Sequence, residues 1–305
     1  MRYTVVLTAD FPKIATEILA PHFDVIAHPT EHDRSEEDVM TLIAEADAAV
    51  VLLSDPITRR VLESNPNLRV VSNFAVGYNN IDIDAARELG VTVTNTPGVL
   101  TEATADLTLA LILAVTRRIV EGDGEVRALG RCEWEPLKLL GASLQGKTLG
   151  IIGMGRIGGA VATRARAFGM NVIGVRRGER IDDLLATSDI VSLHAPLSRE
   201  THHMIDGRAL AKMKRGAYLI NTARGALVDE NALCDALESG QLRGAGLDVY
   251  EFEPEVNPRL LRMPNAVIVP HIGSATEEAR NAMARIAATN VLLFLRGSEP
   301  LHRVV

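Results

Sequence analysis

Residues 149–177 read LGIIGMGRIGGAVATRARAFGMNVIGVRR, and the order in which this stretch changes character decides the fold. An apolar run of strand type ends on Gly153, Gly155 and Gly158 in a G-x-G-x-x-G spacing; a small-residue amphipathic segment follows, and a second apolar run ends on Arg176 and Arg177. Strand, glycine turn, helix and strand in that order make a βαβ unit whose turn suits a pyrophosphate. The first glycine permits the tight turn, the second lets the backbone approach the ligand, and the third lets helix pack closely on strand. The helix start adds unpaired N–H groups and the positive end of its dipole. Where the second strand ends, an enzyme selective for NAD usually carries an acid for the ribose hydroxyls. Here stand Arg176 and Arg177, with Arg180 close behind, and guanidinium groups grip a 2′-phosphate in a bidentate, charge-assisted way. The stretch predicts NADPH as the preferred dinucleotide, with NAD at lower preference.

Outward from this unit the same alternation continues in both directions. Towards the carboxyl terminus, DIVSLHA, AYLINTA, GAGLDVY and NAVIVPHI are apolar runs separated by helical segments; towards the amino terminus, YTVVLT, FDVIAH, AAVVLLS, LRVVSNFA and VTVTNT form a second such series. Continuous apolar runs bounded by helical periodicity are the mark of parallel sheets covered on both faces. The fold class expected is α/β, with two doubly wound, Rossmann-like parallel-sheet domains and the active site in the cleft between them. Residues 98–277 are assigned to the dinucleotide-binding domain; residues 1–97 and 278–305 are assigned to a discontinuous substrate-binding domain. Ser35 followed by Glu36, Glu37 and Asp38 predicts a capped helix start. One long apolar helix is expected over Thr101 to Glu121, carrying the chain between domains, and another over Thr276 to Arg296, packing back on the first. Hinges are expected near Thr96 to Gly98 and around Ser274 to Ala275.

Composition narrows the partners. With 305 residues the chain exceeds the size at which one core usually stops growing. A formal net charge of −7 argues against a phosphate-backbone partner. No apolar stretch is long enough to span a bilayer, since LTLALILAV is flanked by Asp106 and Arg117. No membrane, nucleic-acid or metal partner is therefore expected. The amino terminus lacks the features of an export leader. Cys132 and Cys234 stand apart without metal-ligand spacing and read as buried thiols in a reducing cytoplasm.

Three polar residues stand where apolar runs give out: Arg224 after AYLINTA, Glu253 after GAGLDVY, and His271 after NAVIVP. Carboxyl ends of strands are where doubly wound sheets bind ligands. Reduction of a 2-oxo acid needs a cation for the carboxylate, an acid that protonates the carbonyl oxygen as hydride arrives, and a partner that keeps this acid charged. Arg, His and Glu supply those roles in that order, and a carboxylate beside an imidazole favours its protonated form.

With these residues in place, VGYNNID, NTPGVLTEATADL, GMGRIG, NTARGALVDE, GAGLDVYEFEP and PHIGSAT resemble the signatures of the D-isomer-specific 2-hydroxyacid dehydrogenases over almost the whole chain. Through LLSDPIT, VGYNNID and the two arginines the chain is most similar to the glyoxylate/hydroxypyruvate reductase branch. The resemblance implies that Arg224 binds the substrate carboxylate and carbonyl, that His271 is the general acid/base and that Glu253 holds it. It also implies that amides at Val76 and Gly77 grip the carboxylate and that Leu53 lines the pocket. Gly153, Met154, Gly155, Arg156, Ile157, Gly158, Arg176, Arg177, His194, Ala195, Pro196, Thr222, Ala223, Arg224, Asp248, His271 and Gly273 would contact the cofactor, Asp248 at its nicotinamide end. Members of the family are typically homodimers, and RCEWEPLKLLG resembles a loop that reaches the neighbouring subunit; Trp134 then either walls the partner's pocket or packs an interface.

These features imply an NADPH-dependent reductase of glyoxylate or hydroxypyruvate giving the D-hydroxy acid. A larger acid such as 2-ketogluconate stays open within the same chemistry. A nucleotide-sensing or co-repressor-like binding protein is the reading of another class, and the intact Arg224, Glu253 and His271 set speaks against it.

Overall fold

The structure, a computed structural model, describes residues 2–31 and 34–305. It divides into two compact units, Met1–Leu100 with Ala275–Val305, and Thr101–Ser274.

In the first unit strands and helices alternate: β1 (Thr4–Leu7), α1 (Ile14–Leu19), β2 (Asp24–Ala27), α2 (Glu36–Ile43), β3 (Ala48–Val51), α3 (Arg59–Ser64), β4 (Val70–Asn73), α4 (Ile83–Leu89) and β5 (Thr92–Thr94). The strands form one parallel sheet in the order β2-β1-β3-β4-β5. α2 starts as its sequence predicts: the Ser35 side chain accepts from the Asp38 amide while Asp38 accepts from the Ser35 amide, a reciprocal capping box. Val6, Val51, Val71 and Val93 from the sheet pack with Val39 and Ile43 of α2 and with Val61 of α3 in a buried cluster.

The second unit runs through α5 (Thr101–Thr116), α6 (Ile119–Leu129), β6 (Thr148–Ile152), α7 (Arg156–Ala167), β7 (Asn171–Val175), α8 (Asp182–Thr187), β8 (Ile190–Leu193), α9 (Gly207–Lys212), β9 (Ala217–Asn221), α10 (Glu230–Glu238), β10 (Leu242–Leu247) and β11 (Ala266–Ile268). Its six strands are parallel, in the order β11-β10-β9-β8-β6-β7. Consecutive strand residues supply opposite faces. Ile152, Leu193, Leu219 and Leu247 pack towards α8, α9 and α10, whereas Ile151, Ile190 and Ile220 pack towards α5 and α7. A fully buried side chain of this size is worth about 1.5–3 kcal/mol relative to exposure, so each face is a substantial core.

The last helix, α11 (Glu277–Leu295), belongs to the first unit, where it packs on α1, β3 and β4.

Two expectations need correction. The helix expected over Thr101–Glu121 is broken, because Arg118 adopts a left-handed backbone with φ 55°. The cause lies in the returning chain. Ala142 N–H takes the Thr116 carbonyl at 2.8 Å, and Gly141 approaches so closely that a Cβ there would stand 2.3 Å from the same oxygen. The Thr116 hydroxyl also bonds back to the Ile112 carbonyl at 2.7 Å, which loosens the last turn. α5 lies wholly within Thr101–Ser274. Cys132, expected to be buried, is exposed, while Cys234 is buried. It follows Gly130, which closes α6 in a left-handed cap, in a segment without a core of its own.

Candidate active site

The order of the second sheet reverses between β6 and β8, and the crevice at the carboxyl ends of those strands is where a doubly wound sheet receives its ligand. The three glycines differ in their surroundings. Gly153 has φ +101°, and a Cβ on it would lie 2.5 Å from the His194 carbonyl carbon, so the turn after β6 presses directly on the end of β8. On Gly158 a Cβ would lie 2.3 Å from the Gly153 oxygen; on Gly155 it would meet nothing within 4 Å. The first intrahelical bond of α7 runs from Gly159 N–H to the Gly155 carbonyl at 2.9 Å, which leaves the amides of Arg156, Ile157 and Gly158 as the helix's unpaired donors. An open space before a positive helix end fits a dinucleotide pyrophosphate.

The other expected cofactor residues border this crevice or the strands beside it. Met154 N–H bonds the Val175 carbonyl at 3.1 Å, next to Arg176. His194 continues β8; its ring meets the Ser192 hydroxyl at 2.8 Å, and burial pushes its pKa down to about 4, so it is neutral. Ala195 and Pro196 follow, the Pro196 carbonyl being held by the Thr201 hydroxyl at 2.7 Å. Thr222 and Gly273 are braced by α5: the Thr222 and Thr108 hydroxyls lie 2.9 Å apart, and Thr104 donates to the Gly273 carbonyl at 3.0 Å. Arg176 and Arg177 are exposed at the end of β7. Arg177 pairs with Glu200 at 3.0 Å. The Arg176 amide donates to Glu179 at 2.7 Å, an acid in this loop that the sequence reading passed over.

Arg224, Glu253 and His271 follow β9, β10 and β11, three adjacent strands. Gly225 allows the approach, since a Cβ there would overlap the Tyr250 carbonyl at 1.8 Å. Asn221 holds the turn by donating to the Arg224 carbonyl at 2.8 Å. The Arg224 guanidinium bonds the Ala223 carbonyl at 2.7 Å. Burial pulls its pKa down, and the nearby Glu253 charge opposes that. Glu253 accepts the Tyr250 N–H at 2.9 Å through one oxygen and faces His271 Nδ1 at 2.9 Å through the other. Burial alone would raise the Glu253 carboxyl; the His271 hydrogen bond and charge, the Tyr250 amide and Arg224 outweigh it and hold it below its ordinary value. The His271 backbone has φ +51°, a left-handed conformation that His tolerates better than most residues and that often marks functional positions. Two bonds from Asp248 fix it in place, accepting the Ile272 and Gly273 amides at 2.6 and 2.8 Å. Burial raises the Asp248 carboxyl to about 6 against those two amides and the His271 charge.

Leu53, Val76 and Gly77 belong to the first unit and are half-buried there. The Val76 and Gly77 carbonyls are pinned by Asn95 at 2.8 Å and Asn73 at 2.7 Å. Asn80 ties this turn to the Leu53 loop by donating to the Leu52 and Asp55 carbonyls at 3.1 Å each. These asparagines were missed; for Asn73 and Asn95 the signal is an Asn at or just beyond a strand's carboxyl end, as in SNF and TNT, whereas Asn80 sits in the loop before α4 and carries no such mark. Trp134 is 84% exposed and is not gathered with Arg224, Glu253 and His271.

A glycine-gated dinucleotide crevice beside an Arg, Glu and His set defines the class: a nicotinamide-dependent oxidoreductase. The sequence model for the D-isomer specific 2-hydroxyacid dehydrogenase NAD-binding domain matches residues 109–273. The chain is 44% identical, over 100% of its length and 97% of the relative's, to the glyoxylate reductase of Thermococcus litoralis. Among solved structures it is similar to the TT0316 protein of Thermus thermophilus, with a TM-score of 0.94, 46% identity, and 99% and 100% of the two chains covered. It is also similar to an NADPH-dependent glyoxylate/hydroxypyruvate reductase of Sinorhizobium meliloti in complex with NADP and malonate, with a TM-score of 0.87, 30% identity, and 100% and 97% covered. The chain belongs to the D-isomer specific 2-hydroxyacid dehydrogenase family.

Proposed function

We propose that the protein is an NADPH-dependent reductase of small 2-oxo acids, glyoxylate and hydroxypyruvate foremost, that forms D-2-hydroxy acids. One observation carries the reading: the Arg224 guanidinium, the Glu253 carboxylate and His271 lie together at the ends of adjacent strands, with His271 Nδ1 spent on Glu253 at 2.9 Å. Nε2 is then the ring atom that meets substrate.

When bound, the dihydronicotinamide supplies the hydride. His271 Nε2 delivers a proton to the carbonyl oxygen as negative charge develops there, and Glu253 holds the ring in place through Nδ1. Arg224 orients the acid and steadies the developing alkoxide. Val76 and Gly77 offer amides to the carboxylate, and Leu53 limits what fits beside it. Trp134 serves a homodimer: it is exposed, as are Ile119, Val120, Val126, Leu129 and Leu137 on and after α6, an apolar content that suits a protein contact. A light-scattering mass of one chain would remove that part of the reading. The cellular site is the cytoplasm; among the described residues no helix is long and apolar enough to cross a membrane.

NADPH rests on Arg176, Arg177 and the missing acid at the end of β7. Steady-state oxidation of NADPH and NADH, with glyoxylate, hydroxypyruvate, pyruvate and 2-ketogluconate, tests the whole assignment. His271→Ala is expected to lower kcat/KM by about 10²–10⁴-fold, the usual worth of a positioned general acid. Arg176→Ala with Arg177→Ala is expected to weaken NADPH use by about tenfold or more, since a charge-assisted hydrogen bond is worth about 1.5–3 kcal/mol, and to spare NADH. Cofactor binding without turnover on any acid would replace the enzyme with a nucleotide sensor.

A further inference from the structure

One cluster of ligating side chains has no part in this chemistry. His202 and His203 lie between β8 and α9, and Glu251 follows β10; a ring nitrogen from each histidine and a Glu251 oxygen all lie within 4.8 Å of one another. His203 Nε2 is 2.6 Å from Glu251 Oε1. The two imidazoles stack with centroids 4.0 Å apart.

The backbone is set to make this meeting. His203 has φ +50°, and its amide is anchored to the Ala226 carbonyl at 2.9 Å. As at His271, this is a conformation uncommon for non-glycine residues though better tolerated by His, and such positions often mark ligand clamps. Glu251 is equally fixed: its Oε2 accepts the Glu230 amide at 3.2 Å while its own amide donates to Glu230 Oε1 at 2.7 Å. The side chain of Glu251 is 9% exposed and that of His203 32%, and His202 is exposed. The carboxylate therefore forms the floor of the cluster and the imidazoles its open mouth. Glu230 and Glu253 add further negative charge at this corner.

We propose that His202, His203 and Glu251 bind a divalent cation of the zinc class. Two imidazoles and one carboxylate suit a borderline ion, whereas magnesium and calcium prefer oxygen ligands. With metal–ligand bonds of about 2.0–2.2 Å, two ligand atoms on a tetrahedral ion stand roughly 3.3 Å apart. The His203–Glu251 pair, 2.6 Å apart, thus has to open by about 0.7 Å, and a pair at the 4.8 Å limit of the cluster has to close by about 1.5 Å. The fourth position faces solvent through the imidazole side and is filled by water. The site lies outside the catalytic set, and its ion would neutralise the acidic corner that ends in Glu253.

Calorimetric titration of the intact protein with Zn²⁺ alone, in a buffer that does not chelate it, is the test. One equivalent is expected to bind at micromolar concentration and to raise Tm. Co²⁺ in its place is expected to show the visible absorption of a tetrahedral site. His203→Ala and Glu251→Gln are expected to weaken binding by about tenfold or more, and His202→Ala, at an exposed position that leaves the fold intact, by several-fold. His271→Ala is expected to bind Zn²⁺ as the wild type does. A wild type without a saturable event, equal affinity in the three site variants, or loss of binding in His271→Ala would each overturn the proposal.

Discussion

The two sheets share a strand order for their first five strands, 2-1-3-4-5 counted within each unit, and so the same crevice where that order reverses. They fill it in opposite ways. In the second unit the turn after β6 is three glycines with open space at Gly155 and free helix amides behind it. The equivalent turn in the first unit, after β1, reads Thr8-Ala9-Asp10-Phe11-Pro12, with an acid where an anion would sit and a proline that has no amide to offer. Its crevice is closed by the protein's own charges. Asp55 accepts from the Thr8 hydroxyl at 2.5 Å and the Leu52 amide at 2.8 Å, and Arg34 stands 3.4 Å away. Topology makes the crevice in both units; a handful of side chains decides whether a ligand or an ion pair occupies it.

The largest effect that could break this comparison is on stability. The Arg34 and Asp55 side chains are 3% and 1% exposed. Replacing one partner of a buried pair strands the other, at a cost of about 3–5 kcal/mol. Arg34→Met is therefore expected to lower the urea midpoint by that equivalent, and Arg34→Met with Asp55→Asn, which keeps an acceptor for the Thr8 hydroxyl and the Leu52 amide, to recover much of it. A loss in the single variant below about 1 kcal/mol would mean that the first crevice is not held shut by charge.

The glycines of the second crevice give a smaller, two-sided effect. A side chain at Gly155 enters open space, so Gly155→Val should leave Tm near the wild-type value and weaken NADPH binding by about ten- to a hundredfold, or 1.4–2.8 kcal/mol, by blocking backbone approach. Gly158→Ala drives a methyl to 2.3 Å from the Gly153 oxygen and should lower stability by about 1–3 kcal/mol. Thermal melts paired with cofactor titrations separate the two. If Gly155→Val destabilises as much as Gly158→Ala, the second crevice is structural rather than open.

What the sequence allowed to be read follows from range. Strands buried on both faces are continuous apolar runs, so both sheets are legible locally. Gly153, Gly155 and Gly158 are legible because their roles depend on one turn and the helix after it. Arg224, Glu253 and His271 are legible because each lies within a few residues of the carboxyl end of an apolar run, where doubly wound sheets bind ligands. The helix break at Arg118 was not, since it depends on Ala142 capturing the Thr116 carbonyl from 26 residues away. Nor was the Arg34–Asp55 pair, 21 residues apart, or the meeting of His203 with Glu251 across 48. Such contacts exist only once the layers are stacked.

Asp55 and Asp248 carry the comparison down to single carboxyl groups. Both are 1% exposed at the carboxyl ends of strands, yet Asp55 has a guanidinium beside it, whereas Asp248 has two backbone amides and the charge of His271. Burial wins at Asp248 and raises its pKa from 3.8 to about 6. The folded state then binds more protons than the unfolded chain between those values, so this group destabilises the fold above pH 6 and ceases to do so as pH falls towards 4. Asn at position 248 cannot titrate. The stability of wild type relative to Asp248→Asn should therefore improve by about 1 kcal/mol between pH 7 and pH 5, read from urea unfolding at each pH. A difference that stays constant, or moves the other way, would show that the amides and His271 offset burial fully. Asp248 would then be satisfied as an anion, with a dominant interaction opposite in kind to the one its burial implies.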